Sequence, residues 1–212
     1  MTVLVSSAVY GLEELLDQVY GTLAGFGYEV WMSHRGTVPV TSSGTAFEQC
    51  LAAVEKCDLF LSIISTRYGS GQVKDGPSIT HHELLRAIEL GKPRWILAHD
   101  HVPFARSLLA DYGLGSAEDR RRLQANARRK SQVFQDLQLI DMYEAAIRAD
   151  VEPLEERTGN WVQKYRDEED ALLFASAQFS RYDEVRRFLE DNLRDPESIR
   201  QRVAELGKKN ET

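Results

Sequence analysis

Apolar positions in the first hundred residues switch between a strand-like and a helical period. Val3-Leu4-Val5 is a short β-like run. Leu12, Leu15, Leu16, Val19, Leu23 and Phe26 then recur at helical spacing, and Gly25 and Gly27 close that stripe. Tyr28 to Met32 reads as a second strand, and Ser33 to Gly44, rich in Ser, Thr, Gly and Pro, reads as a loop. Phe47, Cys50, Leu51 and Val54 form a second helical stripe. Leu59 to Ile64 is almost wholly apolar, as in a central strand covered on both faces. A Gly-rich loop over Ser65 to Ser78 leads to a helix over Thr80 to Leu90, closed by Gly91 and Pro93, and Trp95 to Ala98 is a fourth strand.

Strands joined by single helices over such short connections are parallel and cross over right-handedly. The pattern predicts an α/β fold: an open parallel sheet of order 2-1-3-4-5. Ligands of such sheets lie beyond the carboxyl ends of the strands, where the strand order reverses. Ser6 to Tyr10, Ser33 to Gly44 and Ser65 to Glu83 are expected to meet there. Residues 1–101 form this core, and 102–212 read as a helical elaboration of the same domain, with no linker between them. Pro103 to Asp111, Ser116 to Lys130, Gln132 to Ala149, Glu168 to Phe179 and Tyr182 to Leu193 look helical. Trp161 to Tyr165 is the expected fifth strand, Asp195-Pro196 opens a last helix, and Lys208 to Thr212 should fray.

At 42% hydrophobic and 28% charged, the 212-residue chain has a globular composition. Its net charge of −7 disfavours nucleic acid and anionic membranes as partners. No apolar run approaches a membrane span, and Met1 to Val5 reads as a strand rather than a signal peptide. Two cysteines, Cys50 and Cys57, without a Cys-x-x-Cys pair, argue against a disulfide framework and fit a cytoplasmic location.

Glu83 is the acid best placed for chemistry. It lies early in a helix whose N-terminus faces the expected crevice, where free amides and the helix dipole would hold it ionised. Thr80-x-x-Glu83 is also a capping-box pattern, as is Thr45-x-x-Glu48 one helix earlier. Ser6, Ser7 and Tyr10 follow the first strand and can hold a phosphate or ribose, although Ser7 also suits a helix cap. Trp31 can stack on a base or belong to the core. Arg67 can pair with phosphate and Tyr68 can pack on a ring, while Gly69 and Gly71 suit a mobile loop. Thr80 and His82 complete the candidate binding set. His81, His82, His99 and His101 match no metal-ligand spacing, and on a strand Asp100 would face away from its histidine neighbours. No metal is expected. Arg120-Arg-Arg122 and Arg128-Arg-Lys130 read as a solvated helix face, and Val185, Phe188 and Leu189 as core or an oligomer seam. The chain has neither a Gly-x-Gly-x-x-Gly fingerprint nor a Walker loop.

Several motifs occur together in order: Val3-Leu-Val-Ser6-Ser7, Gly27-Tyr-Glu-Val-Trp-Met32, Cys50-Leu-Ala-Ala-Val54-Glu-Lys-Cys57-Asp58-Leu-Phe, Arg67-Tyr68-Gly69, Ser78-Ile-Thr80-His-His-Glu83 and Gly91-Lys-Pro93. Over about the first hundred residues they resemble a family of unknown function related to TIR domains. Its members include standalone prokaryotic proteins and N-terminal domains of some NACHT, WD-repeat and tetratricopeptide-repeat proteins. Many TIR domains cleave NAD at the nicotinamide–ribose bond with a glutamate early in the helix after the third strand, and Glu83 matches that position. The resemblance thus implies an NAD glycohydrolase or ADP-ribosyl cyclase, with NAD as substrate rather than cofactor, in prokaryotic immune (antiphage) signalling. It also implies a homo-oligomer and, through signalling, an effector protein as partner.

Two alternatives remain. The related nucleoside 2-deoxyribosyltransferases also carry a glutamate before a Gly-Lys-Pro, but the aspartate six residues earlier in their pattern is Pro77 here, with Asp75 offset. The other alternative is a non-catalytic module for nucleotide sensing or homotypic interaction.

Overall fold

The computed structural model describes residues 1–69, 76–127, 131, 133–151 and 153–193. Gly71, Asp75, Arg128 to Lys130, the helix expected at Asp195-Pro196 and the fraying expected at Lys208 to Thr212 lie outside them, as do the side chains of Phe188 and Leu189.

Five parallel strands form one sheet: β1 (Thr2–Ser7), β2 (Glu29–Trp31), β3 (Leu59–Ile64), β4 (Arg94–His99) and β5 (Val162–Tyr165). Their order is β2-β1-β3-β4-β5, the flavodoxin-like order expected from the alternation. The fifth strand starts one residue later than the sequence suggested. Pairing begins at Val162 against Ile96, and Trp161 stands outside it with 76% of its surface exposed.

Strand alternation sorts the core into two layers. Val3, Val5, Leu59, Leu61 and Ile63 point to the layer of α1 (Glu13–Gly25), α7 (Glu168–Phe179) and α8 (Tyr182–Leu193). Leu4, Phe60, Ile64, Ile96 and Ala98 point to the opposite layer. That layer holds α2 (Ala46–Lys56), α3 (Ile79–Glu89), α4 (His101–Asp111) and α6 (Gln138–Ala146). β3 is buried at every position, as its unbroken apolar run requires. Val185 packs at the margin of the first layer.

The second half is less regular than its sequence suggested. α5 (Ala117–Asn126) stops before Ala127, and α6 begins only at Gln138. Within the intervening segment the Gln135 amide donates to Thr66 O at 3.2 Å, and Gln135 Oε1 accepts the Tyr68 amide at 3.1 Å. Arg120 is not on a solvated face: its side chain is 2% exposed and clamps α5 to α6. Arg121 and Arg122 do lie outside, paired with Glu118. Among the described residues no helix is long and apolar enough to cross a membrane.

A candidate active-site cleft at the carboxyl edge

The chain from β1 turns into α1 on one face, and the chain from β3 turns into α3 on the other. Where they part, a cleft of about 720 Å³ opens, a size suited to a small ligand. Ser6, Ser7 and Tyr10 line it from the β1 end, Ser33 and Val38 from the β2 end, and Arg67 and Gly69 from the β3 end. Cys50 on α2, and Thr80 and Glu83 on α3, line its inner wall.

The periodicities explain the meeting of Ser6 and Glu83. Ser6 follows Leu4 by two residues and so shares its face, toward α2 and α3. Glu83 shares the buried side of α3 with Thr80, Leu84 and Ala87. Ser6 Oγ donates to Glu83 Oε2 at 2.5 Å, and the Cys50 thiol stands close enough to the same carboxyl group to favour its ionised form. Ser62, directly beside Ser6 in the parallel register, is fully buried.

Glu83 is neither a cap nor held ionised by the helix start. The cap of α3 is Ser78, whose hydroxyl accepts the His81 amide. Thr80 lies inside the first turn, and Glu83 follows in the second, only 8% exposed. Burial pushes its carboxyl up from 4.5 to about 7, and the Ser6 bond and the Cys50 thiol only partly offset this. The Thr45–Glu48 capping box does form at α2. The Cys50 thiol is pushed up to about 11, by burial first and then by the charge of Glu83.

Other expected ligands go elsewhere. Tyr68 is 2% exposed, and its hydroxyl lies 2.7 Å from His81 Nδ1 and 3.3 Å from Gln138 Oε1 while accepting the Ser78 amide. It ties α3 to α6 rather than lining the cleft, because the turn after β3 carries its ring inward. Trp31 belongs to the core, with its indole N–H on Glu29. His82 packs edge-on against Phe47, in a groove between α2 and α3. Burial draws His81 down to about 4. Among the described residues, neither His81 nor His82 joins a metal-ligand cluster. Ser7 caps nothing: its hydroxyl donates to Ala8 O, and α1 has no side-chain cap.

Tyr10 and Arg67 pair at the rim, with the guanidinium carbon 5.7 Å from the ring centroid. Gly69, read from sequence as part of a mobile loop, packs closely instead. It sits at φ +84°, where a Cβ would stand 3.4 Å from Thr80 Oγ1 and 3.7 Å from Ala8 Cβ. Gly69→Ala is expected to destabilise the chain by about 1 kcal/mol, read as a lower urea midpoint. An unchanged midpoint would show that this turn relaxes freely.

Sequence reasoning missed Cys50, Ser131 and Gln135 as cleft residues. Cys50 lay on an apolar helical stripe and read as core. Ser131 and Gln135 carry no local signal, because only the path of the chain after α5 brings them over the cleft.

No curated protein matches this chain. Among solved structures, the TIR domains in the structure of the activated Roq1 resistosome directly recognizing the pathogen effector XopQ are similar at 13% identity. That match covers 81% of this chain and 95% of the other, with a TM-score of 0.46. The family model described as Domain of unknown function (DUF4062) matches residues 2–152. With most of its length inside that match, the chain belongs to the DUF4062 family.

Proposed function

We propose that the chain is a TIR-like enzyme that breaks the N-glycosidic bond of NAD or a related nucleotide, with Glu83 as the catalytic carboxylate. The observation that carries this reading is a buried carboxyl group in the wall of a ligand-sized cleft at the strand-order reversal, held there by the neutral donor Ser6 with the Cys50 thiol beside it. The motif resemblance around Ser78 to Glu83 supports the same assignment.

Cleavage breaks the bond between ribose C1′ and the pyridinium nitrogen, and the bonding pair leaves with nicotinamide, which departs neutral. No proton need be supplied to it. The ribosyl centre becomes oxocarbenium-like, and an ionised Glu83 stabilises that charge or traps it covalently. A water, or a hydroxyl or ring nitrogen of the same nucleotide, then bonds to C1′; a water or hydroxyl loses its proton. A cationic ring beside Glu83 favours the ionised form. Ser6 fixes the carboxyl orientation, while Arg67 and Tyr10 at the rim suit phosphate and ribose or base. In a homo-oligomer, a neighbouring copy would shield the open side of the cleft from water.

Incubation with NAD and with nucleosides, read by mass spectrometry, tests the reading. Free nicotinamide supports it, and exchange of bases between nucleosides would favour the deoxyribosyltransferase alternative. Saturable NAD binding without any product would favour a sensing module. A place in antiphage signalling, suggested by the motif resemblance alone, is tested by phage challenge of cells carrying the wild-type or the Glu83→Gln protein.

A further inference from the structure

Away from the cleft, β4 ends at His99 and α4 begins at His101. Asp100 between them adopts helical backbone angles, φ −60° and ψ −24°. The strand-like expectation, with Asp100 facing away from both histidines, therefore fails. The change of backbone at this residue swings its carboxylate to the same side as both rings. Asp100 Oδ1 lies 3.1 Å from His99 Nδ1 and 4.0 Å from His101 Nε2. The two ring centroids are 4.5 Å apart. One donor atom from each of the three residues falls within 4.8 Å of the other two.

His99 Nδ1 and His101 Nε2 converge on the same Asp100 oxygen, which suits a cation that makes more than two bonds. The single Nδ1 lone pair of His99 meets the His101 backbone N–H at 3.2 Å, a bond that ligation would replace. We propose that His99, Asp100 and His101 form a binding site for a divalent transition-metal cation of the zinc class, with at least one coordination position open to solvent. Two imidazoles and a carboxylate are a common donor set for such ions.

The surroundings hold the site in shape. The His99 ring packs edge-on against Tyr165 at 5.3 Å, and the Asp100 amide donates to Tyr165 O at 2.9 Å, so β5 fixes the strand end. Two features oppose a cation here, the positive end of the α4 dipole and the nearby Arg166. Arg166 is engaged by Asp170 at 3.2 Å, and the Asp100 charge acts directly on the bound ion. None of the three residues lines the cleft, so the proposal stands independently of NAD chemistry.

The full-length protein, stripped of metal with a chelator and dialysed, is titrated with zinc chloride by calorimetry. Saturable binding is expected. Asp100→Asn and His101→Ala should each weaken it at least about tenfold, and His34→Ala should leave it unchanged. Asp100 is partly exposed and His101 mostly so, and neither belongs to the buried core, so these variants should keep the wild-type circular dichroism. Cobalt should give a visible ligand-field band that His101→Ala removes. Absence of saturable heat, or an affinity that survives both substitutions, would overturn the site.

Discussion

Glu83→Gln is expected to lower NAD turnover by about 10³-fold or more while the chain stays folded. The amide keeps the shape of the carboxyl group and can still pair with Ser6, but it cannot carry the negative charge that the ribosyl centre requires. Nicotinamide release by the two purified proteins is the measurement, and equal rates would remove Glu83 from the mechanism.

The same variant carries a stability signature that does not depend on the substrate. The folded chain holds the Glu83 proton up to about pH 7, whereas the ordinary value is 4.5. Between these values the unfolded chain has released a proton that the fold retains, so stability falls as pH rises, by about 1.4 kcal/mol per pH unit. His81 acts in the opposite sense. Its folded value is about 4 against an ordinary 6.5, so stability falls as pH drops through that window. Between pH 4.5 and 6.5 the two slopes nearly cancel in the wild type. Glu83→Gln removes only the first, so its stability relative to wild type should grow from pH 4.5 to 7, by about 3 kcal/mol in all. Urea melts across that range are the check, and a pH-independent difference would mean that Glu83 is not buried as described.

The second large effect is structural. Arg120 is 2% exposed and bonds Asp141 through Nε at 3.1 Å, Glu144 through Nη2 at 2.6 Å, and Gly115 O through Nη1 at 2.6 Å. Arg120→Ala leaves two half-buried carboxylates without this cation and frees α5 from α6. The expected loss is about 3 kcal/mol, seen as a fall of roughly 10 °C in Tm. The chain after α5 carries Ser131 and Gln135 to the cleft, so nucleotide binding should weaken too. A Tm within a degree of wild type would show that the clamp is dispensable.

The sequence by itself determined the sheet and the neighbourhood of the site. Alternation of β-like runs and helical stripes leaves few topologies, and an all-buried run such as Leu59 to Ile64 belongs at the sheet centre. Short crossovers make the strands parallel, and the carboxyl edge then collects Ser6, Ser7, Tyr10, Arg67, Thr80 and Glu83. What each side chain does there was decided by tertiary structure, because it depends on directions that period alone leaves open. A two-residue shift of the cap from Thr80 to Ser78 is invisible in the pattern Ser-x-Thr-x-x-Glu, yet with the packing of α2 and α3 it separates an exposed, ionised glutamate from a buried one whose carboxyl is pushed up to about 7. Tyr68 and Arg67 are neighbours in sequence, but the turn sends one ring into the core and leaves the other side chain at the cleft rim. Cys50 reads as core because a thiol and an aliphatic group look alike in a helical stripe, and only the approach of α2 to α3 brings it to Glu83. Arg120 reads as surface because charge predicts exposure until two carboxylates from another helix arrive to pair it. In each case burial, partner and direction come from residues distant in the chain, which local periodicity does not encode.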